Sequence, residues 1–416
     1  MDTLNIKSTG LVIKMNRIEE SMSVRFLADL IPISPTYLSN IENGLMTPRK
    51  EILERIFKVL DIEFDLSDKL ISEVKLKFDE IYQNVVRFNL SEIEEGLKFL
   101  KFKEKWIKNS PALLDYQLIR YVYFVSEIDP NEYEETRKLE EDLRQVVKQM
   151  TGKQAQLFYQ YYGVRLTTDN NLKEALESFN KSQKYQSEIN QGMMDFHLGI
   201  LYSKLNKSYE SIEYTNNARL FFEKEMNYRR ALYCRVNLAD EYSRLKMYKL
   251  AEKFYRQIIS ISHDLKMKDI ESTGYESIAW IKLLQKDYFE VSSCTNKSRK
   301  INGSYSSKGL LCLAWMNYKN GDTMRSFDYI QKGLELEESV FYMNLFNILK
   351  CDIVDDGALD KEKLIIEAIN YTKTKNELEH YEFIVNIYIE FLSNKNKYKK
   401  AFEYSQELIS MQSERG

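Results

Sequence analysis

Ser34-Pro-Thr-Tyr-Leu-Ser-Asn-Ile-Glu-Asn-Gly44 reads as a short helix with its start and its stop written at either end. A serine side chain accepts from the free amides of a first helical turn, and proline at the next position gives up an amide that a helix start leaves unpaired anyway. Leu38 and Ile41 form an apolar stripe at i and i+3, which leaves Thr36, Tyr37, Ser39 and Asn40 facing outward. Gly44 tolerates the left-handed backbone that ends helices. A second short helix is expected upstream, from Val24 to Leu30, capped by Ser23, with Phe26, Leu27 and Leu30 inward and Ala28 small enough for a close crossing. Ile31-Pro32-Ile33 is the turn between them, and Pro48 precedes a further apolar helix carrying Ile52, Leu53, Ile56, Phe57, Val59 and Leu60.

This arrangement resembles the helix-turn-helix of the Cro/repressor (XRE) family over residues 10–65. Ser23 with Leu27-Ala28, the turn exit Ile33-Ser34, Tyr37-Leu38-Ser39 and the closing Ile41-Glu42-Asn43-Gly44 all fall in that family's register. The resemblance implies that Thr36, Tyr37, Ser39 and Asn40 face base edges in the major groove, with Ser34, Arg25, Arg49 and Lys50 near phosphates. Pro35 belongs to the same DNA-facing surface, at a position where the family commonly carries a longer polar side chain, and Val24 stands where a polar residue is frequent. Residues 1–67 carry eight Lys/Arg against ten Asp/Glu, a net charge of −2, whereas DNA-binding modules usually show a basic footprint. Glu51, Glu54, Asp61, Glu63 and Asp65 all follow Pro48, on helices expected to face away from DNA. The competing reading is a helix-turn-helix used for protein contacts alone.

A chain of 416 residues has room for two or three domains. Hydrophobic residues make up 44% of it, with 29 Tyr and 21 Phe, which excludes a disordered chain. No run approaches the ~18 apolar residues of a membrane span. The first residues, Met1-Asp-Thr-Leu-Asn5, lack the basic and apolar segments of a signal peptide, and Cys234, Cys294, Cys312 and Cys351 show no paired or metal-ligand spacing. A cytoplasmic protein with buried, apolar thiols and no metal or other cofactor is expected. All five prolines lie at or before Pro130; their absence from residues 131–416, together with helical periodicity, predicts an all-α region.

Self-similarity begins after residue 150. Gly199, Ala239 and Ala279 recur at 40-residue intervals, in Leu198-Gly-Ile-Leu-Tyr202, Leu238-Ala-Asp-Glu-Tyr242 and Ile278-Ala279, and Ser211, Ala251 and Val291 follow each by twelve positions. Gly163 with Ala175 precedes this series, Ala314 with Ser326 follows it, and further pairs lie near Ile348 with Ala368 and near Ala401. Small residues at such spacings let a helix pair close up and stack on its neighbour. The pattern is similar to the tetratricopeptide repeat, with a period above the usual ~34 residues that extra loop residues are expected to explain. The predicted fold is all-α: a five-helix helix-turn-helix domain over 1–67, connecting helices or degenerate repeats over 68–150, and a right-handed α-solenoid of tetratricopeptide-like pairs over 151–416. The connecting helices are expected near 70–88, 91–107, 112–127 and 131–150.

Arrays of this kind present their first helices along a concave surface suited to an extended peptide. In the pair anchored by Ala239 the inward positions are Tyr233, Val236, Asn237, Asp240, Ser243 and Arg244. Asn237 offers both a donor and an acceptor, the chemistry needed to clamp a peptide backbone without reading its sequence. Equivalent positions bring Gln160, Tyr161, Thr167, Phe196, His197, Lys204, Glu276, Trp280, Leu311, Trp315 and Lys319 toward the groove, with Asn386 and Glu390 near its end. The plainer alternatives are a solvated Asn237, a core or groove histidine at 197, and core packing for the two tryptophans.

A helix-turn-helix followed by such repeats resembles the Rap/Rgg/NprR/PlcR/PrgX group of peptide-sensing regulators. The resemblance implies a short signalling peptide in the groove and a homodimer whose paired helix-turn-helices match or miss a double-stranded DNA operator. It also implies that Asn237 is the backbone-clamping asparagine. Two other readings stay open: a prophage-type repressor without a peptide, and a Rap-like protein acting on a response regulator through residues 70–150, where Gln117 is a candidate. An ordinary enzyme is not expected, since His197, His263 and His380 are the only histidines and no phosphate loop, metal-ligand pair or nucleophile elbow is present.

Overall fold

Helix ends decide this architecture, because most of its connections are turns of a few residues. The computed structural model describes residues 6–63, 67–127, 133–185, 191–336, 339–354, 360–375 and 378–413, and among them no strand occurs. The chain forms two compact units, residues 1–190 and 191–416.

In the first unit, α1 (Ile6–Glu19), α2 (Val24–Leu30), α3 (Pro35–Glu42) and α4 (Lys50–Val59) build the N-terminal bundle. Its core is Val12, Ile13, Leu27, Ala28, Ile31, Leu38, Ile41, Leu53, Ile56, Leu60 and Ile62. Fully burying an aliphatic side chain contributes about 1.5–3 kcal/mol, so this cluster is the main force holding so small a bundle. Leu27 is buried as expected, whereas Phe26 and Leu30 are 53% and 50% exposed. The buried face of this short helix runs through Leu27, Ala28 and Ile31, which turns positions 26 and 30 to solvent.

Four helices, where the sequence reading expects five, therefore make up residues 6–59. The next helix, α5 (Asp68–Arg87), packs instead with the connecting helices α6 (Leu90–Phe102), α7 (Glu104–Ile107), α8 (Leu113–Glu127) and α9 (Tyr133–Val146), its contacts being with α6 and α8. The helix expected from residue 131 is described from Tyr133, residues 128–132 lying outside the described ones. A 3-10 turn, Val147–Gln149, leads to the first repeat pair, α10 (Gly152–Thr168) and α11 (Leu172–Gln183).

The second unit continues with α12 (Gln191–Lys204), α13 (Ser208–Lys224), α14 (Tyr228–Arg244), α15 (Tyr248–Asp264), α16 (Lys268–Leu284) and α17 (Tyr288–Asn302). It ends with α18 (Ser307–Lys319), α19 (Thr323–Glu335), α20 (Val340–Lys350), α21 (Lys361–Lys375), α22 (Leu378–Asn394) and α23 (Tyr398–Ser413). Successive helices pack antiparallel across short turns, as stacked repeats do. The helices α13 to α16 are each 17 residues long and are joined by three-residue turns such as Leu245–Met247. Two such helices and two such turns fill the 40-residue period, so the excess over the usual repeat lies in the helices and not in extra loop residues.

Those turns share one geometry. The middle residue takes a positive φ at Asn206, Met226, Lys246, Lys266 and Lys286. The amide of the next residue then returns to the preceding helix, as in Met247 N to Tyr242 O and Met267 N to Ser262 O, both 2.8 Å. Within a pair, the small residues act as anticipated. A Cβ on Gly199 would stand 2.3 Å from Thr215 Oγ1, Ser211 Oγ donates to the Gly199 carbonyl at 2.9 Å, and Ser326 Oγ donates to that of Ala314 at 2.8 Å.

Candidate functional site

Both ends of α3 form as its residues dictate. Ser34 Oγ accepts from the Tyr37 amide at 3.2 Å. At the other end Gly44 has φ +66°, its amide meets the Ile41 carbonyl at 3.0 Å, and Leu45 N meets Asn40 O at 2.9 Å, the paired bonds of a left-handed helix stop. Leu38 and Ile41 are buried. Ser34, Pro35 and Thr36 are exposed, Tyr37, Ser39 and Asn40 are half-buried, and Arg25, Arg49 and Lys50 are exposed on neighbouring segments. The polar positions of α3 thus share a surface backed by the aliphatic core.

Behind that surface lies a contact that sequence reasoning missed. Glu42, 2% exposed, accepts from Arg17 Nε at 2.6 Å and from Arg17 Nη2 at 2.9 Å, a two-pronged pair inside the bundle. Arg17 Nη1 also donates to the Met22 carbonyl at 2.6 Å, which ties α1 to the start of the helix-turn-helix. Glu42 reads as one letter of a closing motif, and nothing local marks Arg17, 25 positions upstream, as its partner.

In the second unit, α14 carries Tyr233, Asn237, Asp240 and Arg244 as half-buried side chains at spacings of one helical face. Two of them are engaged internally. Tyr255 OH donates to Asp240 Oδ1, and Arg244 Nη1 donates to Ser203 O at 3.0 Å, Ser203 Oγ at 2.8 Å and Glu241 Oε1 at 3.0 Å. Asn237 differs: its Nδ2 is buried and donates to nothing. A buried donor without an acceptor costs about 1–3 kcal/mol, so this amide is an expense that the fold alone does not explain.

The other expected groove residues separate. His197 on α12 is buried, and that burial, with the nearby Arg230 cation second, lowers its pKa to about 3. It is a neutral interior imidazole. Trp280 and Trp315 are 4% and 7% exposed, each with its ring 5.0 Å from that of Phe383 on α22. Trp280 also meets His380 at 5.7 Å, and Glu382 of the same helix reaches Lys246 Nζ at 2.5 Å. Both tryptophans are thus packed against α22. Asn386 on α22 is exposed, and Gln160 is fully buried on α10 of the first unit. Gln117, on α8, is 7% exposed and its Oε1 accepts no hydrogen bond. Cys234, Cys294 and Cys312 are buried free thiols, pushed up by that burial to about 12, 11 and 12. Among the described residues no group of three or more His, Cys, Asp or Glu could hold a metal ion. No described helix is long and apolar enough to cross a membrane.

A capped recognition-type helix on a four-helix bundle, joined to stacked helix pairs, defines a helix-turn-helix protein with a helical-repeat region. Residues 13–66 match the helix-turn-helix family. The HTH-type transcriptional regulator SinR of Bacillus licheniformis is 32% identical over 104 residues, which are 24% of this chain and 94% of SinR. Over longer spans the chain is similar to the transcriptional activator NprA of Geobacillus stearothermophilus, 18% identical over 89% of this chain and 95% of NprA. It is also similar to response regulator aspartate phosphatase I of Bacillus subtilis (strain 168), 23% identical over 76% of this chain and 82% of the relative. A Rap protein solved with competence and sporulation factor superposes with a TM-score of 0.70 at 16% identity, over 83% of this chain and 99% of that one. The apo quorum sensor NprR from B. thuringiensis does so with 0.65 at 17% identity, over 82% and 99%. The chain therefore carries a helix-turn-helix of the family that SinR shares, and it has the Rap/NprR fold.

Proposed function

We propose that this protein is a DNA-binding transcriptional regulator whose repeats bind a short signalling peptide, and that the peptide switches the arrangement of a dimer and hence its hold on an operator. Residues 1–67 are the DNA-binding part and residues 151–416 the peptide-binding part, in a protein that works in the cytoplasm. The observation that carries the peptide half is Asn237 Nδ2, a buried donor without an acceptor on the α14 face. A peptide carbonyl reaching it would recover a hydrogen bond the free protein lacks. NprR, whose fold the chain shares, has been solved in complex with its cognate peptide NprX, which supports the same use here.

The switching is a matter of populations. A peptide that binds one arrangement about tenfold more tightly contributes about 1.4 kcal/mol toward it. In a symmetric dimer a modest change in each protomer alters the spacing of two recognition helices, and half-site spacing is what such dimers read. The test is calorimetry with synthetic peptides taken from the C-terminus of any short reading frame beside the gene. Binding by the native chain and at least tenfold weaker binding by Asn237→Ala, about 1.4 kcal/mol, is expected; equal binding by both would remove Asn237 from the site.

The likeness to an aspartate phosphatase supports a second reading, action on a response regulator. Gln117 is a poor candidate for that chemistry, being buried within α8.

A further inference from the structure

We infer that Gln149 is a positioning residue for the recognition helix, fastening the last turn of α3 to the segment that opens the first repeat pair. Every α-helix leaves its final carbonyls without intrahelical donors. In α3 the carbonyls of Ser39, Asn40 and Ile41 are met by the amides of Asn43, Leu45 and Gly44. The Glu42 carbonyl is met instead from 107 positions away, by Gln149 Nε2. The same nitrogen lies 3.4 Å from Asn43 Oδ1, which also accepts from Lys14 Nζ at 3.3 Å. Gln149 therefore acts as a C-cap supplied by another part of the chain.

Its position along the chain gives this cap a use. Gln149 closes the 3-10 turn Val147–Gln149 and stands two residues ahead of Thr151, which with Gln154 forms the capping box that starts α10. The backbone at 147–152 is thus fixed at one side by the start of the repeats and at the other by the end of the recognition helix. Further bonds seat the bundle on the connecting helices: Asn16 Nδ2 to Lys108 O at 2.9 Å, Lys108 Nζ to Glu19 at 2.5 Å, and the Glu63 amide to Asn109 Oδ1 at 3.0 Å. Those act through α1 and the end of α4. The Gln149 bond reaches α3 itself, so a shift of α10 is delivered to the helix that faces DNA. This inference rests on the DNA-binding reading of α3.

The test uses the full chain with two substitutions. Gln149→Glu keeps the size and removes the N–H; Gln149→Arg keeps a donor long enough to reach the carbonyl. Thermal midpoints establish that both fold. In the absence of DNA, amide hydrogen exchange across residues 39–46 should rise about tenfold in Gln149→Glu and return toward native rates in Gln149→Arg. Affinity for the DNA upstream of the chain's own gene should fall and recover in the same order. Unchanged exchange in Gln149→Glu, or equal changes in both variants, would overturn the inference. If exchange follows the expected order while the native chain does not bind that DNA, the fastening stands and the DNA-binding reading fails.

Discussion

The helix α3 and the face of α14 carry similar numbers of polar side chains, yet one displays them and the other spends them internally. Ser34, Pro35 and Thr36 are exposed and Tyr37, Ser39 and Asn40 half-buried, above Leu38 and Ile41 and the Arg17–Glu42 pair. On α14, Asp240 is held by Tyr255 and Arg244 by Ser203 and Glu241, while the Asn237 amide is covered and unsatisfied. A surface that reads DNA gains from being preformed, because nothing then has to be reordered on binding. On the proposed function, the α14 face does the opposite: a ligand must exchange internal bonds for its own, which is how binding energy is converted into a shift between two arrangements.

The largest effect is expected where the displayed surface is held from behind. Glu42→Ala strands the Arg17 guanidinium, whose side chain is 6% exposed, and removing one partner of a buried ion pair costs about 3–5 kcal/mol. Urea unfolding followed by exchange in residues 6–59 should show this bundle lost first; an unaltered midpoint would mean that the pair is not what braces α3.

A smaller effect separates the second region. His197 has a pKa near 3 when folded against about 6.5 when unfolded, so below pH 6.5 the unfolded chain takes up a proton that the folded chain refuses. Its contribution to stability is complete above about pH 6.5 and declines by about 1.4 kcal/mol per pH unit as the pH falls from there toward 3. Between pH 6.5 and pH 5 the native chain should lose about 2 kcal/mol more than His197→Phe. Parallel stability curves for the two proteins would show that the imidazole is not buried.

These two regions also differ in how far their residues announce them. The bounds of α2 and α3 agree with the sequence reading because Ser23, Ser34, Pro35 and Gly44 act on their own backbones. The repeat spacing was readable from Gly199, Ala239 and Ala279, since close helix crossings admit only small side chains. The turns were not, because Met226, Lys246, Lys266 and Lys286 adopt the left-handed backbone without glycine to mark it. Burial by distant segments was equally hidden. Local periodicity places Trp280 and Trp315 on an inward face but says nothing of Phe383, which packs against them from more than sixty positions away. The Arg17–Glu42 pair and the Gln149 cap are of the same kind: both depend on what the finished fold brings together.

The proposed coupling of a displayed DNA-reading helix to a peptide-reading face within one chain is tested by a binding titration. Labelled DNA from upstream of the gene should be titrated with the native chain, with and without the peptide that calorimetry identifies, and with the double substitution Thr36→Ala and Asn40→Ala. Salt-dependent binding is expected, with a peptide-induced change of about tenfold or more and a loss of about 1–3 kcal/mol per base contact removed in the double variant. Native affinity that the peptide leaves unmoved, or that survives the loss of Thr36 and Asn40 side chains intact, would contradict it.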